Sequence, residues 1–408
     1  MSSNPLSRFF SGVLSSAASS SASAGTSSST LATSLYTLGS LCFQYSPLIA
    51  PVLIWIKDAP HGRFAPKVGS SWTVHGNYGW LVMEIVSPLT FLASLLSSGP
   101  LASRTGNALG SWAPKWGNFA ALPLPNRILA ACFVLHYLHR AVISPLTSPT
   151  RSRMHISVPI SAIGFNLING FLMGSWIGGH SPPLLSAAEA VKAAVQANAN
   201  SGSARAASSL WGRKAATGTA AAHPAAALQS LQLGPGLIPT SALQHPLFWL
   251  GLAGWAIGFA GNIYHDEILA NLRRKPRRSE QKQQQTNGAS KEVARKDDKD
   301  EIKSRYKVPH GALFELVSFP NYLCEWFEWA SFAFSALYFL PLWSTAAAST
   351  SSSPLKIITT LLQTPPFLFL LAEVSAMLPR AYKGHLWYRD TFGDELPRGR
   401  KAVIPFVF

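Results

Sequence analysis

Seven stretches of nearly unbroken apolar residues alternate with polar connections along the chain. They run near Leu35–Ile56, Tyr78–Leu96, Ile128–Leu146, Val158–Ile177, Pro246–Tyr264, Leu323–Trp343 and Ile357–Met377. At about 1.5 Å rise per residue, each is long enough as a helix to cross a hydrocarbon core of roughly 30 Å. The pattern therefore predicts an all-α, polytopic membrane protein with about seven transmembrane helices.

Three further segments lack that pattern and read as linkers. Residues 1–34 are rich in Ser and Ala, a second Ser/Ala-rich stretch covers 183–244, and a Lys/Arg/Gln/Asp run covers 273–305. None buries enough apolar surface to fold alone. The chain then divides into the N-terminal stretch 1–34, four spans over 35–182, the linker 183–244, and a C-terminal region 245–408 that holds the basic run.

Composition sharpens this. Charged residues make up 13% of the 408 and hydrophobic ones 48%, against roughly 25% charged in a soluble chain. So little charge cannot cover a soluble enzyme of this size. The formal net charge of +16 raises nucleic acid as a partner, but that requires a basic patch on a folded polar face. Here most bases lie in the connections, so nucleic acid is excluded. Of the 34 Lys and Arg, 24 fall on the side holding 57–77, 147–157, 266–320 and the C-terminal tail, and nine on the other. The positive-inside rule places that richer side in the cytosol. The three cysteines, Cys42, Cys132 and Cys324, are far apart and suggest neither zinc nor a disulfide framework.

An ionisable side chain within a span is costly and usually functional. Glu84, Glu325, Glu328 and Glu373 lie in or at the ends of spans. Glu84 sits in an otherwise apolar helix, where a carboxylic acid keeps its proton and can donate a hydrogen bond. The third span carries His136-Tyr137-Leu138-His139-Arg140, with Tyr137 and Arg140 on one helical face. One histidine pair without a further ligand makes a poor metal site, and no metal is expected. Asn262 and Asp266 share a face at the end of the fifth span, with Arg273 beyond them. Glu325 and Glu328 open the sixth span, and Arg380, Lys383, His385, Tyr388 and Arg389 follow the seventh. Bases and carboxylates gathered at one membrane face suit a phosphate-rich nucleotide. Neither Gly-x-Gly-x-x-Gly nor a Walker sequence occurs, so the site is neither Rossmann nor P-loop.

The C-terminal block from Gly261 to Phe408 resembles the steroid 5α-reductases, the membrane 3-oxo-5α-steroid 4-dehydrogenases. The likeness rests on Asn262…Asp266…Leu272-Arg273, on Tyr306-Lys-Val-Pro-His-Gly311, and on Asn321…Glu325…Glu328-Trp329. The ending Arg400-Lys401-Ala-Val-Ile-Pro405-Phe-Val-Phe408 completes it, and Glu84 and the His136–Arg140 string fit upstream.

That resemblance implies helices enclosing a cavity for NADPH and an enone lipid substrate. Carried over by position, Glu84 and Tyr137 hold the substrate carbonyl. Arg140, Asn262, Asp266, Arg273, Tyr306, Asn321, Glu325, Arg380, His385 and Tyr388 line the cofactor pocket. The chain departs from the family pattern at Lys307, at Gly311-Ala312 and at Cys324. The implied reaction reduces the C4=C5 bond of a 3-oxo-Δ4-steroid: hydride arrives at the β-carbon while donors stabilise the developing enolate. The same fold serves trans-2-enoyl-CoA reduction, with polyprenol reduction a weaker third choice. Some membrane methyltransferases resemble its C-terminal helices, and a non-catalytic membrane scaffold is the alternative of another class. The resemblance favours the endoplasmic reticulum, and no obligate protein partner is evident.

Overall fold

The computed structural model describes residues 27–55, 60–66, 70–97, 115–182, 236–274, 306–340 and 354–408. Helices cover most of each predicted apolar stretch, with breaks at Tyr45 and at 362–364 and a helix in the sixth stretch that ends at Leu337; Ile56 and 341–343 lie outside the described residues. In chain order the helices are α1 (Ser27–Gln44), α2 (Ser46–Trp55), α3 (Gly76–Leu96), α4 (Trp116–Ala121), α5 (Leu124–Thr147), α6 (Ser157–Ile177), α7 (Pro246–Arg274), α8 (Pro320–Leu337), α9 (Pro354–Leu361) and α10 (Pro365–Phe392). Four of them, α3, α5, α6 and α7, are long and apolar enough to cross a membrane by length and composition. Among the described residues, β1 (Thr73–Val74) pairs antiparallel with β2 (Met154–His155).

Three predicted boundaries move. The helix α1 starts at Ser27, inside the predicted N-terminal linker 1–34. Arg273 and Arg274 are the last turn of α7, because the helix runs on well past the apolar stretch. The linker is predicted to reach residue 244, whereas residues 236–244 pack against the helices. Asn126 on α5 is the reason: its amide donates to the carbonyls of Ile177 and Gly236 at 2.8 Å each, and its oxygen accepts from the Ile238 amide at 2.8 Å. One buried side chain thus satisfies three backbone groups. The predicted segments 1–26, 183–235 and 275–305 lie outside the described residues.

Lipid is as apolar as leucine, so helices in a membrane associate through close packing and hydrogen bonds. Small residues supply both contacts here. On α6, a side chain at Gly170 or Gly174 would collide with the backbone of α3 at Ser87 and Phe91. On α7, Gly251, Gly254, Gly258 and Gly261 face α8, and a Cβ at Gly258 would stand 2.6 Å from the Glu328 amide nitrogen. Gly261 likewise leaves the room that Cys324 occupies, 2.8 Å from where its Cβ would be.

Between these helix pairs runs a row of rings. Phe91 stacks on Phe133 (4.1 Å), Phe133 meets Trp329 (5.7 Å), and Trp329 meets Phe369 edge-on (4.7 Å). Edge and offset contacts at such separations are the favoured aromatic geometries. The row joins α3, α5, α8 and α10, and Tyr137 leans against it.

The four base-rich segments meet at one end. The β1–β2 pair joins the 57–77 and 147–157 connections, and Arg274 donates to the Thr147 carbonyl at 3.1 Å. The tail pairs with the 306–319 segment, where the Ser318 and Phe319 amides donate to the carbonyls of Lys401 and Ala402 at 2.9 and 3.0 Å.

Candidate active site

Directly beside the ring row lies a buried polar tier, which starts at Arg140. This residue falls inside a π-helical turn, Leu138–Ile143, within α5. Such wide turns are rare and gather at functional sites. The guanidinium donates from Nε to Glu84 Oε1 (3.3 Å) and from Nη1 to Glu325 Oε2 (3.1 Å), and it lies 5.4 Å from the Trp80 ring. The chain of contacts continues through Asn262, whose amide donates to Glu325 Oε2 (3.0 Å) and to the Asn321 carbonyl (3.1 Å). Asn321 in turn donates to Asp266 Oδ1 at 2.9 Å. Four helices, α3, α5, α7 and α8, are tied together by this one network. Glu328 sits just outside it and binds His136 Nδ1 at 2.7 Å.

Glu84 is therefore placed differently from the isolated neutral acid the apolar run predicts. A cation from another helix stands against it, which one-dimensional pattern does not reveal.

Tyr137 is 3% exposed. Its hydroxyl oxygen accepts from the Asn169 amide at 2.7 Å, and that same amide group lies 3.1 Å from Ser87 Oγ. With the oxygen already accepting, the phenol keeps its own proton to donate. This matters for chemistry: a phenol donor aimed from an apolar wall is suited to a developing oxyanion.

A second cluster lies at the base-rich end. Arg63 lies over the rings of Tyr388, Trp387 and Phe319 at 4.3, 4.9 and 5.2 Å, and donates to the Gly384 carbonyl (3.2 Å) and the Tyr388 hydroxyl (3.4 Å). Arg380 donates to the His61 carbonyl at 3.4 Å. His385 Nδ1 and Ser318 Oγ are 2.8 Å apart, and Tyr306 meets Trp387 edge-on at 5.2 Å. Burial, followed by Arg389, Arg400 and Lys401, pushes His385 below the ordinary histidine range. A concavity of about 370 Å³ opens here, lined by His385, Arg389, Arg398, Arg400 and Lys401 among others.

Of the residues singled out from sequence, Glu84, Arg140, Asn262, Asp266, Asn321 and Glu325 share the first network, with Tyr137 beside it. Tyr306, Arg380, His385 and Tyr388 gather in the second cluster. Arg273 is exposed at the end of α7 and joins neither. Sequence reasoning missed Arg63, which lies in a connection with no pattern to mark it. It also missed Asn169, although an amide in an apolar span was a signal.

His61 titrates in a way that can be measured. Burial first, then Arg380 and Arg151, push it down to about 3 from 6.5. Between those values the unfolded chain binds the extra proton, so stability rises with pH there. The contribution is complete above pH 6.5 and is lost as pH falls toward 3. The melting temperature in detergent is expected to drop between pH 6.5 and 5, with a shallower drop in His61→Gln; equal slopes would remove His61 from the account.

Comparison with known proteins adds the following. A family model described as 3-oxo-5-alpha-steroid 4-dehydrogenase matches residues 281–348 and 356–408. The chain is 31% identical over 353 residues to an uncharacterized protein of Schizosaccharomyces pombe, covering 86% of this chain and 91% of that one. It is 25% identical over 352 residues to 3-oxo-5-alpha-steroid 4-dehydrogenase 1 of Rattus norvegicus, covering 86% of each. Similarity to steroid 5-alpha-reductase DET2 of Gossypium hirsutum is 25% over 369 residues, 88% of this chain and 91% of the other.

Proposed function

We propose, on the premise that this chain belongs to the steroid 5α-reductase family, that it reduces the C4=C5 double bond of a 3-oxo-Δ4-steroid with NADPH. The observation that carries this reading is the Tyr137 hydroxyl, braced by Asn169 between the ring row and the Glu84–Arg140–Glu325 network. A flat apolar substrate suits the rings, and its one polar end suits the phenol.

The residues present fit a pyridine dinucleotide. Asn321 Oδ1 is buried without a partner, and so are Arg400 Nε and Nη1. A ribose hydroxyl donates to the first and a phosphate accepts from the second. In this reading Arg140, Asn262, Asp266, Asn321 and Glu325 hold the sugar and nicotinamide portions. Tyr306, Arg380, His385 and Tyr388 hold the remainder, and Arg273 reaches a phosphate from the end of α7. When bound, NADPH supplies the hydride.

The chain's own residues do the rest. Tyr137 donates to the carbonyl oxygen and stabilises the negative charge that develops there as the β-carbon is reduced. Glu84 borders the same oxygen and, through its pair with Arg140, ties the carbonyl site to the cofactor side. The surrounding rings exclude water and so strengthen both interactions.

Seven spans in the membrane of the endoplasmic reticulum, with substrate entering from the bilayer, complete the reading. No protein partner is required. The test uses membranes expressing the chain, with NADPH oxidation followed by absorbance. Testosterone or progesterone should drive oxidation and yield a 5α-reduced product. Oxidation with crotonyl-CoA alone would reassign the protein to enoyl thioesters, and cofactor binding with neither substrate active would discard the steroid reading.

A further inference from the structure

Glu373 belongs to neither cluster described above. It lies on α10 one turn beyond Phe369, whose ring closes the row against Trp329 at 4.7 Å. The residue is 8% exposed, and its Oε2 is buried without a hydrogen-bond partner. Among the described residues the other three buried carboxylates form ion pairs: Glu84 and Glu325 with Arg140, and Glu328 with His136. Arg140 is the only cation in that network and already serves two of them.

Phe369 and Glu373, four residues apart, lie on one face of α10, and the Trp329 ring that Phe369 meets also lies 6.4 Å from the Tyr137 ring. That face places Glu373 on the side of the ring row where Tyr137 sits, approached from α10 rather than from α5. With no ion pair formed at Glu373 and no hydrogen-bond donor at its Oε2, the buried carboxyl is cheaper as the neutral acid than as the anion. A neutral acid in a water-poor site is a proton donor.

The proposed reduction needs one that Tyr137 does not provide. The phenol serves the carbonyl oxygen, whereas the reaction must also deliver a proton to the neighbouring carbon. We propose that Glu373 is the general acid that protonates the α-carbon of the enone substrate. This rests on the function proposed above.

The step balances as follows. The β-carbon receives hydride with its electron pair from the dihydronicotinamide, which is oxidised. The C=C π pair shifts to form the enolate, held at oxygen by Tyr137. The O–H bond of Glu373 then breaks, its proton bonds to the α-carbon, and the enolate pair provides that new C–H bond as the C=O re-forms. The Glu373 carboxylate regains a proton from water.

The test compares wild type, E373Q and E373D in purified membranes with NADPH and a 3-oxo-Δ4-steroid. General-acid loss should lower kcat of E373Q about 100-fold or more, with NADPH and steroid affinities unchanged. E373D keeps the acid and should recover much of that loss with a displaced pH profile. Undiminished kcat in E373Q overturns the role while leaving the function standing. So does an E373D as inactive as E373Q when both bind NADPH. A wild type that reduces no enone overturns both. Where a variant fails to bind NADPH, the wild type decides by itself: the apolar reagent dicyclohexylcarbodiimide should modify Glu373, and the steroid should block it. Labelling that the steroid does not slow, or no labelling at Glu373, sinks the proposal.

Discussion

Tyr137→Phe is expected to lower kcat about 100- to 1000-fold, the usual cost of removing one donor from an oxyanion site. The substitution deletes a single oxygen from a ring whose packing against Phe133 (4.8 Å) and Trp329 (6.4 Å) remains. Folding should change little, since the lost Asn169 hydrogen bond is worth only about 1 kcal/mol net. NADPH affinity should be unaffected, because no residue of the Arg140 network is touched. The decisive measurements are steady-state kinetics with a 3-oxo-Δ4-steroid and a separate NADPH titration. A variant with wild-type kcat would take Tyr137 out of the carbonyl site; a variant with weakened cofactor binding would move it to the nucleotide.

Arg140→Met should have the opposite signature: poor stability and lost cofactor binding together. Its guanidinium is the common partner of Glu84 and Glu325, both less than 10% exposed. Methionine fills much of the same volume but leaves two buried carboxylates facing each other. Breaking a buried pair from one side costs about 3–5 kcal/mol, because the remaining charge is uncompensated. Replacing both carboxylates as well, in the Glu84→Gln, Glu325→Gln, Arg140→Met triple variant, should restore most of the thermal stability without restoring NADPH binding. Thermal unfolding in detergent reads the first effect and cofactor titration the second. A single variant as stable as wild type would show that water, rather than the guanidinium, satisfies the carboxylates.

Much of the site was legible as individual residues. Glu84, Tyr137, Arg140, Glu325 and Glu373 each stand out as polar groups in apolar runs, where their cost demands a reason. Their pairing was not legible. Nothing in the run around Glu84 announces that Arg140, 56 residues later, donates to it. The same limit explains Asn126, which closes the linker by binding backbone 51 to 112 residues away. Arg63 shows the limit most plainly, since its partners Phe319, Trp387 and Tyr388 are brought together only by folding.

The sequence by itself determined that this is an all-α membrane protein, where its helices run, and the family to which it belongs. Length, apolarity and local motif are properties of contiguous residues, so one dimension suffices for them. Which acid is paired and which is left alone was decided only by the tertiary structure. Glycines on α6 and α7 let the helices approach until one guanidinium spans two carboxylates, while Glu373 on α10 forms no ion pair and its Oε2 no hydrogen bond. Charge neutralisation depends on distances across helices, and hydropathy along the chain carries no record of them.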